Sequence, residues 1–284
     1  MFFLVFAAVL WGSSFPVITH ALRDISPMLF LVLRFVTAFV ILAPRFGSWR
    51  RLSKLFRLDL FLTAIPNALA FILQYKAQEL TTASKTALFV NSSPVFVVIF
   101  AALVLSERFR PRQLAATIIA MVGVVVTSTR LDFSGFYIVN KGDVMSVAVG
   151  ACWALFIIFS RRVVEKYGPL ELSLGLYFWT ALMAFPFVFL EPLRFSWSGV
   201  PAVLYLAAFT TITAYYFYLR GVRSVSSLTT SLIILIEVVV AFLISHVLLS
   251  ESFSAVETVG VFMVMTGVVL VLERDQRAPG RHHE

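Results

Sequence analysis

Charge is scarce in this chain: Asp, Glu, Lys and Arg supply 13% of its 284 residues, about half of what a soluble domain carries. With 60% hydrophobic residues and a mean hydropathy of +0.93, that shortage excludes a soluble globular protein and identifies an integral membrane protein. Cysteine is limited to Cys152, so no disulfide framework exists within one chain. The histidines, His20, His246, His282 and His283, lack ligand spacing with acids or cysteine, which argues against a metal site, and no cofactor is expected. HExxH, a spaced acid pair and a Ser/His/Asp set at one membrane face are also missing, which weighs against an integral-membrane enzyme. Alternation over about ten residues, the mark of a barrel strand, is absent too.

Long uncharged runs fill the chain instead. A hydrocarbon layer of about 30 Å needs roughly 20 apolar residues per helix, and the pattern predicts ten helices. They fall near 2–20, 28–44, 59–77, 84–105, 113–129, 143–161, 170–190, 199–220, 227–249 and 256–272. The first stretch lacks the basic leader and cleavage site of a signal peptide and reads as a helix. Three of the apolar runs are interrupted by a single charge: Met28 to Pro44 by Arg34, Ser226 to Ser250 by Glu237, and Val256 to Leu272 by Glu257 at its start.

Basic residues give the orientation, because cytoplasmic loops retain Lys and Arg. With the N-terminus inside, sixteen fall in cytoplasmic segments and six in outer ones. Both termini are therefore expected in the cytoplasm and the chain in the cytoplasmic (inner) membrane. The net charge of +8 then reflects orientation and attraction to anionic headgroups, not nucleic-acid binding.

The chain also repeats itself. Residues 105–126 superimpose without a gap on 249–270 at an offset of 144: Glu107 falls on Glu251, and Gly123 on Gly267. Carried upstream, the offset lays Lys76 on Arg220, Ala83 on Ser227 and Ala87 on Ser231. The implied organisation is a first five-helix repeat over 1–130, an outer linker over 131–142, a second repeat over 143–273 and a cytoplasmic tail over 274–284. Five is odd, so the second copy enters the membrane inverted. That geometry lets two halves rock around a midplane site, although duplication for purely structural reasons is the competing reading.

Trp11-Gly-Ser-Ser-Phe-Pro, Leu33-Arg34-Phe35, Ala83-Ser84-Lys85-Thr86-Ala87, Pro94-Val95-Phe96 with Leu105-Ser106-Glu107, and the recurring Gly123-Val124 and Gly267-Val268 resemble the EamA-type permeases of the drug/metabolite transporter superfamily. The resemblance implies an all-α membrane carrier of two inverted five-helix repeats around a central cavity. It further implies that the first, third, fourth, sixth, eighth and ninth helices surround the cavity while the fifth and tenth act as scaffold. Val238 stands where many such proteins have a proline, and Ile158 stands opposite Pro16, so the second half is expected to bend less than the first.

Candidate substrate-binding residues follow from polarity and aromaticity at depth. Trp11 and Trp153, 142 positions apart, form a repeat-related pair that would offer flat walls and N–H donors or else pack the core. Tyr215 and Tyr218 share a helix face, toward the cavity or toward an interfacial belt; Gln74, beside Tyr75, is the repeat counterpart of Tyr218. Asn91 and Ser14 accompany helix breakers, with kinks expected at Pro16, Pro66 and Pro94. Glu237 needs a partner, a raised pKa or a wet cavity. It either contacts a substrate amine or a proton, or forms a gating or structural ion pair with Arg34. Glu107 and Glu251 read as caps of the helices that follow them.

The function that the resemblance and these residues together imply is export of neutral, mainly apolar or aromatic, amino acids or related amines by alternating access, with protons as a candidate coupling ion. A carrier of phosphorylated sugars or nucleotide sugars is the alternative, yet it needs several cavity cations where only Arg34 and, at helix ends, Lys76 and Arg220 are available. Partners are the bilayer and a small-molecule substrate. The chain acts as a monomer or homodimer, since small residues Ala116, Ala120 and Gly123 permit close helix contact within or between subunits.

Overall fold

The computed structural model describes residues 1–46, 53–81, 83–105, 109–136, 139–249 and 254–275. Glu107 and Glu251, expected to cap helices, and most of the C-terminal tail lie outside these residues. The principal helices are α1 (Phe2–Gly12), α2 (Ser14–Ala21), α3 (Pro27–Leu42), α4 (Leu58–Leu80), α5 (Ala83–Val90), α6 (Ser93–Leu105) and α7 (Pro111–Thr129). After these come α8 (Lys141–Ala184), α9 (Val200–Tyr205), α10 (Ala214–Gly221), α11 (Ser227–Ile234), α12 (Ile236–Leu249) and α13 (Ala255–Asp275). No strand occurs among the described residues.

Helix starts follow local chemistry. Pro27 and Pro111 open α3 and α7, where a missing N–H costs nothing. Asn140 and Asp143 cap each other's backbone N–H at the head of α8, at 3.0 and 3.1 Å. The Ser226 hydroxyl accepts the Thr229 N–H to start α11.

Among the described residues, nine helices are long and apolar enough to cross a membrane. One of them, Lys141–Leu190, runs for 50 residues, about 75 Å of helix, more than twice the hydrocarbon thickness. Its backbone breaks at Gly168, where φ is 79° and ψ is 166°. A side chain would be strained at that φ although open space surrounds the position, and Pro169 then begins the next helical stretch.

Side-chain contacts at the helix ends sort into two sets. In one, Lys54 pairs with Glu171, Lys166 and Tyr167 with Asp59, Arg162 donates to the Val104 carbonyl and Arg161 to Ser227. In the other, Lys76 and the Met28 N–H meet Glu191, Lys85 pairs with Asp143, Arg130 with Glu257, and Arg194 donates to the Leu22 carbonyl. The exposed pairs add little stability; Lys85 and Asp143 are almost wholly enclosed, so breaking that pair would leave a buried charge.

Away from the centre, α7 and α13 lie along each other at van der Waals contact through small residues. A Cβ on Gly123 would sit 2.6 Å from the Val264 N, and one on Gly267 would sit 2.6 Å from the Ala116 O. Ala116, Ala120 and Gly123 therefore serve a contact within one chain. Such backbone approach is what drives helix pairing when lipid and side chain are equally apolar.

Candidate substrate site

Three helices are interrupted midway, not all where proline predicts. Between α1 and α2 the break is at Ser13, and Pro16 is the third residue of α2. The Ser13 hydroxyl donates to the Leu10 carbonyl at 2.7 Å and the Ser14 hydroxyl to the Trp11 carbonyl at 2.6 Å, so the two serines satisfy acceptors around the break. Between α5 and α6 the ladder tightens at Asn91 and Ser92 to an i−3 bond, Ser92 N–H to Phe89 O, just before Pro94. Asn91 turns its side-chain N–H back onto the Ala87 carbonyl at 2.8 Å.

Pro66 does not break its helix: α4 runs through it without interruption. Extensive packing of α4 along α8 holds the chain helical despite one missing donor. The expectation that the second half bends less is also corrected. Leu235 separates α11 from α12 with the same i−3 tightening and no proline. Residues Leu206–Thr213 form a π-helical turn between α9 and α10, a wider coil that diverts carbonyls from the regular ladder.

That π turn is where the polar groups converge. The Trp11 indole N–H donates to the Thr210 carbonyl at 2.9 Å, and the Tyr177 hydroxyl to the Thr211 carbonyl at 3.0 Å. Arg34, 2% exposed, gives its Nε–H to Thr211 Oγ1 at 2.6 Å and one amino group to Thr210 Oγ1 at 3.1 Å. Nearby, the Tyr215 hydroxyl donates to Asn67 Oδ1 at 2.7 Å, and Asn67 Nδ2 donates to Thr180 Oγ1 at 2.8 Å. The Tyr218 hydroxyl shares a hydrogen bond with Ser160 at 3.0 Å.

Aromatic rings continue the assembly. Trp11 lies 5.6 Å from Tyr215 and 5.4 Å from Tyr218, and Phe156 stacks on Tyr218 at 5.5 Å. Trp153 reaches the group through Phe156 at 5.8 Å and meets Phe71 edge-on at 5.2 Å. Each such pair adds about 0.5–1.5 kcal/mol beyond area burial. The repeat offset of 144 places Phe71 on Tyr215. Trp153 on Phe71 and Trp11 on Tyr215 are matching edge-on contacts, with interplanar angles of 83° and 78°. The first joins α8 to α4 and the second α1 to α10.

The expected ion pair between Arg34 and Glu237 is not formed: Arg34 spends its bonds on Thr210 and Thr211. Glu237 lies in the first turn of α12, directly after the break, and its side chain has no hydrogen-bond or ionic partner among the described residues. Its backbone touches α1, since a Cβ on Gly12 would stand 2.7 Å from the Glu237 carbonyl. Gln74 is half-buried, and its amide likewise has no hydrogen-bond partner among the described residues. Ser14 and Asn91 give their donors to carbonyls three and four residues back, those of Trp11 and Ala87. Sequence reasoning passed over Thr210, Thr211, Tyr177, Thr180 and Ser160. The signal available for two of them was the offset that lays Pro66-Asn67 on Thr210-Thr211, polar residues in an apolar span. Among the described residues, no group of three or more His, Cys, Asp or Glu gathers at one point.

Comparison with known proteins agrees with this architecture. An uncharacterized transporter of Archaeoglobus fulgidus is 24% identical over 279 residues, covering 95% of this chain and 98% of its own. A probable amino-acid metabolite efflux pump of Salmonella typhimurium is 25% identical over 284 residues, covering 95% and 93%. One solved crystal structure superimposes with a TM-score of 0.81 at 20% identity over 96% of both chains, a likeness of fold. The model of the EamA-like transporter family matches residues 1–129 and 140–273. The chain belongs to the EamA-like transporter family, and is a multi-pass membrane transporter.

Proposed function

We propose that this transporter exports neutral amino acids or related amines with apolar or aromatic side chains, by alternating access between two inverted five-helix repeats. The single observation that carries the reading is Glu237. It is an acid in the middle of an apolar span, in the first turn after a helix break, with its backbone beside α1 at Gly12 and no side-chain partner among the described residues. A carboxylate kept at such depth costs a few kcal/mol, and a substrate amine or a proton is what would offset it. Trp11, Tyr215, Tyr218, Phe156 and Trp153 supply the apolar, aromatic surroundings such a substrate needs.

Ten crossings are supported by the break at Gly168 and by the two sets of end contacts, which do not mix among the described residues. Inversion is supported by the same sets: the residues before α4 belong to one and the residues before α9 to the other. The two stretches matched by the family model support a division near residues 130 and 140. The basic-residue bias supports the cytoplasmic membrane with both termini inside, and the name of the Salmonella relative supports an amino-acid-like cargo. A phosphorylated-sugar carrier would need free cations at depth. Arg34 alone does not make such a set: Lys76 pairs with Glu79 and Glu191, and Arg220 stacks on Phe3 and Tyr216.

Counterflow in proteoliposomes with a panel of amino acids and amines at two pH values tests the proposal. Glu237→Gln is expected to lower transport at least tenfold and to flatten its pH response, the loss of one charge-assisted contact. Unchanged rates and pH response in Glu237→Gln would remove this residue from the mechanism.

A further inference from the structure

Among the described residues, Arg34 is the most deeply enclosed cation of the α3–α4 region, and the groups it contacts are neutral. Nε and one amino group are taken up by Thr211 Oγ1, Thr210 Oγ1 and, at 3.4 Å, the Thr210 carbonyl. The rings of Phe35 and Phe71 stand 5.5 and 5.3 Å from its central carbon. No carboxylate pairs with it among the described residues. Hydroxyls and ring faces soften the cost of a buried charge without cancelling it.

Beside this guanidinium lies an unsatisfied donor. Tyr75, one turn beyond Phe71 on α4, is 4% exposed; its hydroxyl is sealed from solvent and stands against Arg34, and its O–H has no acceptor among the described residues. A buried O–H left without an acceptor costs about 1–3 kcal/mol. A cation with no carboxylate beside it and a phenol whose O–H has no acceptor, next to each other between α3 and α4, match one kind of group: a small planar anion that takes N–H and O–H donors on its two oxygens.

We propose that Arg34 and Tyr75 form the subsite for the carboxylate of the transported molecule, so that the cargo is a carboxylate-bearing compound, an amino acid, and not a simple amine. The assignment rests on the carrier reading above and narrows it. The amine end belongs to Glu237 and the acid end to Arg34 and Tyr75, and the aromatic rings of Phe71, Trp153, Phe156 and Tyr215 take the side chain. Arg34 touches Thr210 and Thr211 of the π turn, and Trp11 of α1 bonds to the same turn. An anion that drew the guanidinium away from the threonines would therefore act on the helix that carries Tyr215 and Tyr218.

Purified full-length protein in detergent can be titrated with 3-phenylpropionate, phenethylamine and sodium chloride while tryptophan fluorescence is followed. The expected result is saturable binding of 3-phenylpropionate and no response to chloride over the same range. Tyr75→Phe deletes one hydroxyl and keeps the packed ring, so the fold should persist; it should weaken 3-phenylpropionate about tenfold, one charge-assisted hydrogen bond, and leave phenethylamine unchanged. Arg34→Gln should abolish binding of the acid, and Arg34→Lys should recover little of it, because a point charge lacks the fork. Binding of phenethylamine but not 3-phenylpropionate, or equal affinity in Tyr75→Phe and parent, would overturn the subsite while leaving the carrier reading in place. A chloride response of the same size, lost in Tyr75→Phe, would assign the site to an inorganic anion and overturn its role in cargo binding. Loss of binding for every probe would sink the subsite, and the counterflow assay then reports separately on transport.

Discussion

The two halves of the molecule break their helices in equivalent places by different means. In the first half, α5 gives way to α6 at Asn91 and Ser92, just ahead of Pro94. In the second, α11 gives way to α12 at Leu235, where the repeat offset puts Asn91, with Val238 in place of the proline. The third helices reverse the relation: α4 runs straight through Pro66, whereas its counterpart opens into the π turn Leu206–Thr213 without a proline. Proline is neither necessary nor sufficient here. What the broken positions share is a tertiary neighbour that takes up the displaced polar groups or needs the space, such as Trp11 and Tyr177 on the π turn or the backbone of α1 at Gly12 against Glu237. Pro66 instead adjoins Asn67, whose amide ties α4 to Tyr215 and Thr180.

The largest expected effect tests the part of the two halves that is most alike. Gly123→Val and Gly267→Val each drive a side chain into the facing helix of the α7–α13 seam. Both should destabilise the protein by about 3 kcal/mol or more, with no relief from side-chain rotation because the facing atoms include backbone. Thermal unfolding in detergent measures this. If only one of the two glycines mattered, the seam would not be a shared device of the repeats.

A smaller effect addresses the broken helices. Val238→Pro restores the first-half pattern in the second. It removes the Val238 N–H bond to the Leu235 carbonyl, so it should cost about 1 kcal/mol, well short of the roughly 3 kcal/mol of a mid-helix proline. A full-sized loss in the same unfolding assay would show that the Leu235 break is not equivalent to the one at Asn91.

The smallest effect separates the paired tryptophans. Trp11→Phe gives up the indole bond to the Thr210 carbonyl and should cost about 0.5–1.5 kcal/mol. Trp153→Phe keeps its edge contact with Phe71, and its indole donates to no group among the described residues, so its stability should stay within about 0.5 kcal/mol of the parent. Equal losses would mean that the two rings do the same structural work.

Hydropathy made the membrane spans readable, because each is a run of apolar residues bounded by charge. The breaks at Ser13 and Asn91 were readable as well, since Ser, Asn and Pro mark them. Leu235 and the π turn left no such mark: no glycine or proline occupies either, and their causes lie in contacts with other helices. The supposed pair of Arg34 and Glu237 shows the same limit. Depth along a span can be counted from a sequence, but the rotation of each helix and the identity of its neighbour cannot, and Arg34 faces Thr210 and Thr211. Asn67 stood beside a proline that drew attention to bending, while its role is to hold Tyr215 and Thr180.

Side-specific labelling of single cysteines tests the inverted arrangement most directly. With Cys152 replaced by serine, Leu58→Cys and Trp197→Cys each place a thiol just before or at the start of the third helix of a repeat, at residues 68% and 80% exposed. A membrane-impermeant maleimide should modify Leu58→Cys only from the cytoplasmic side and Trp197→Cys only from the outer side. Modification of both from the same side would contradict the inversion, and with it the account of a site shared between two oppositely oriented halves.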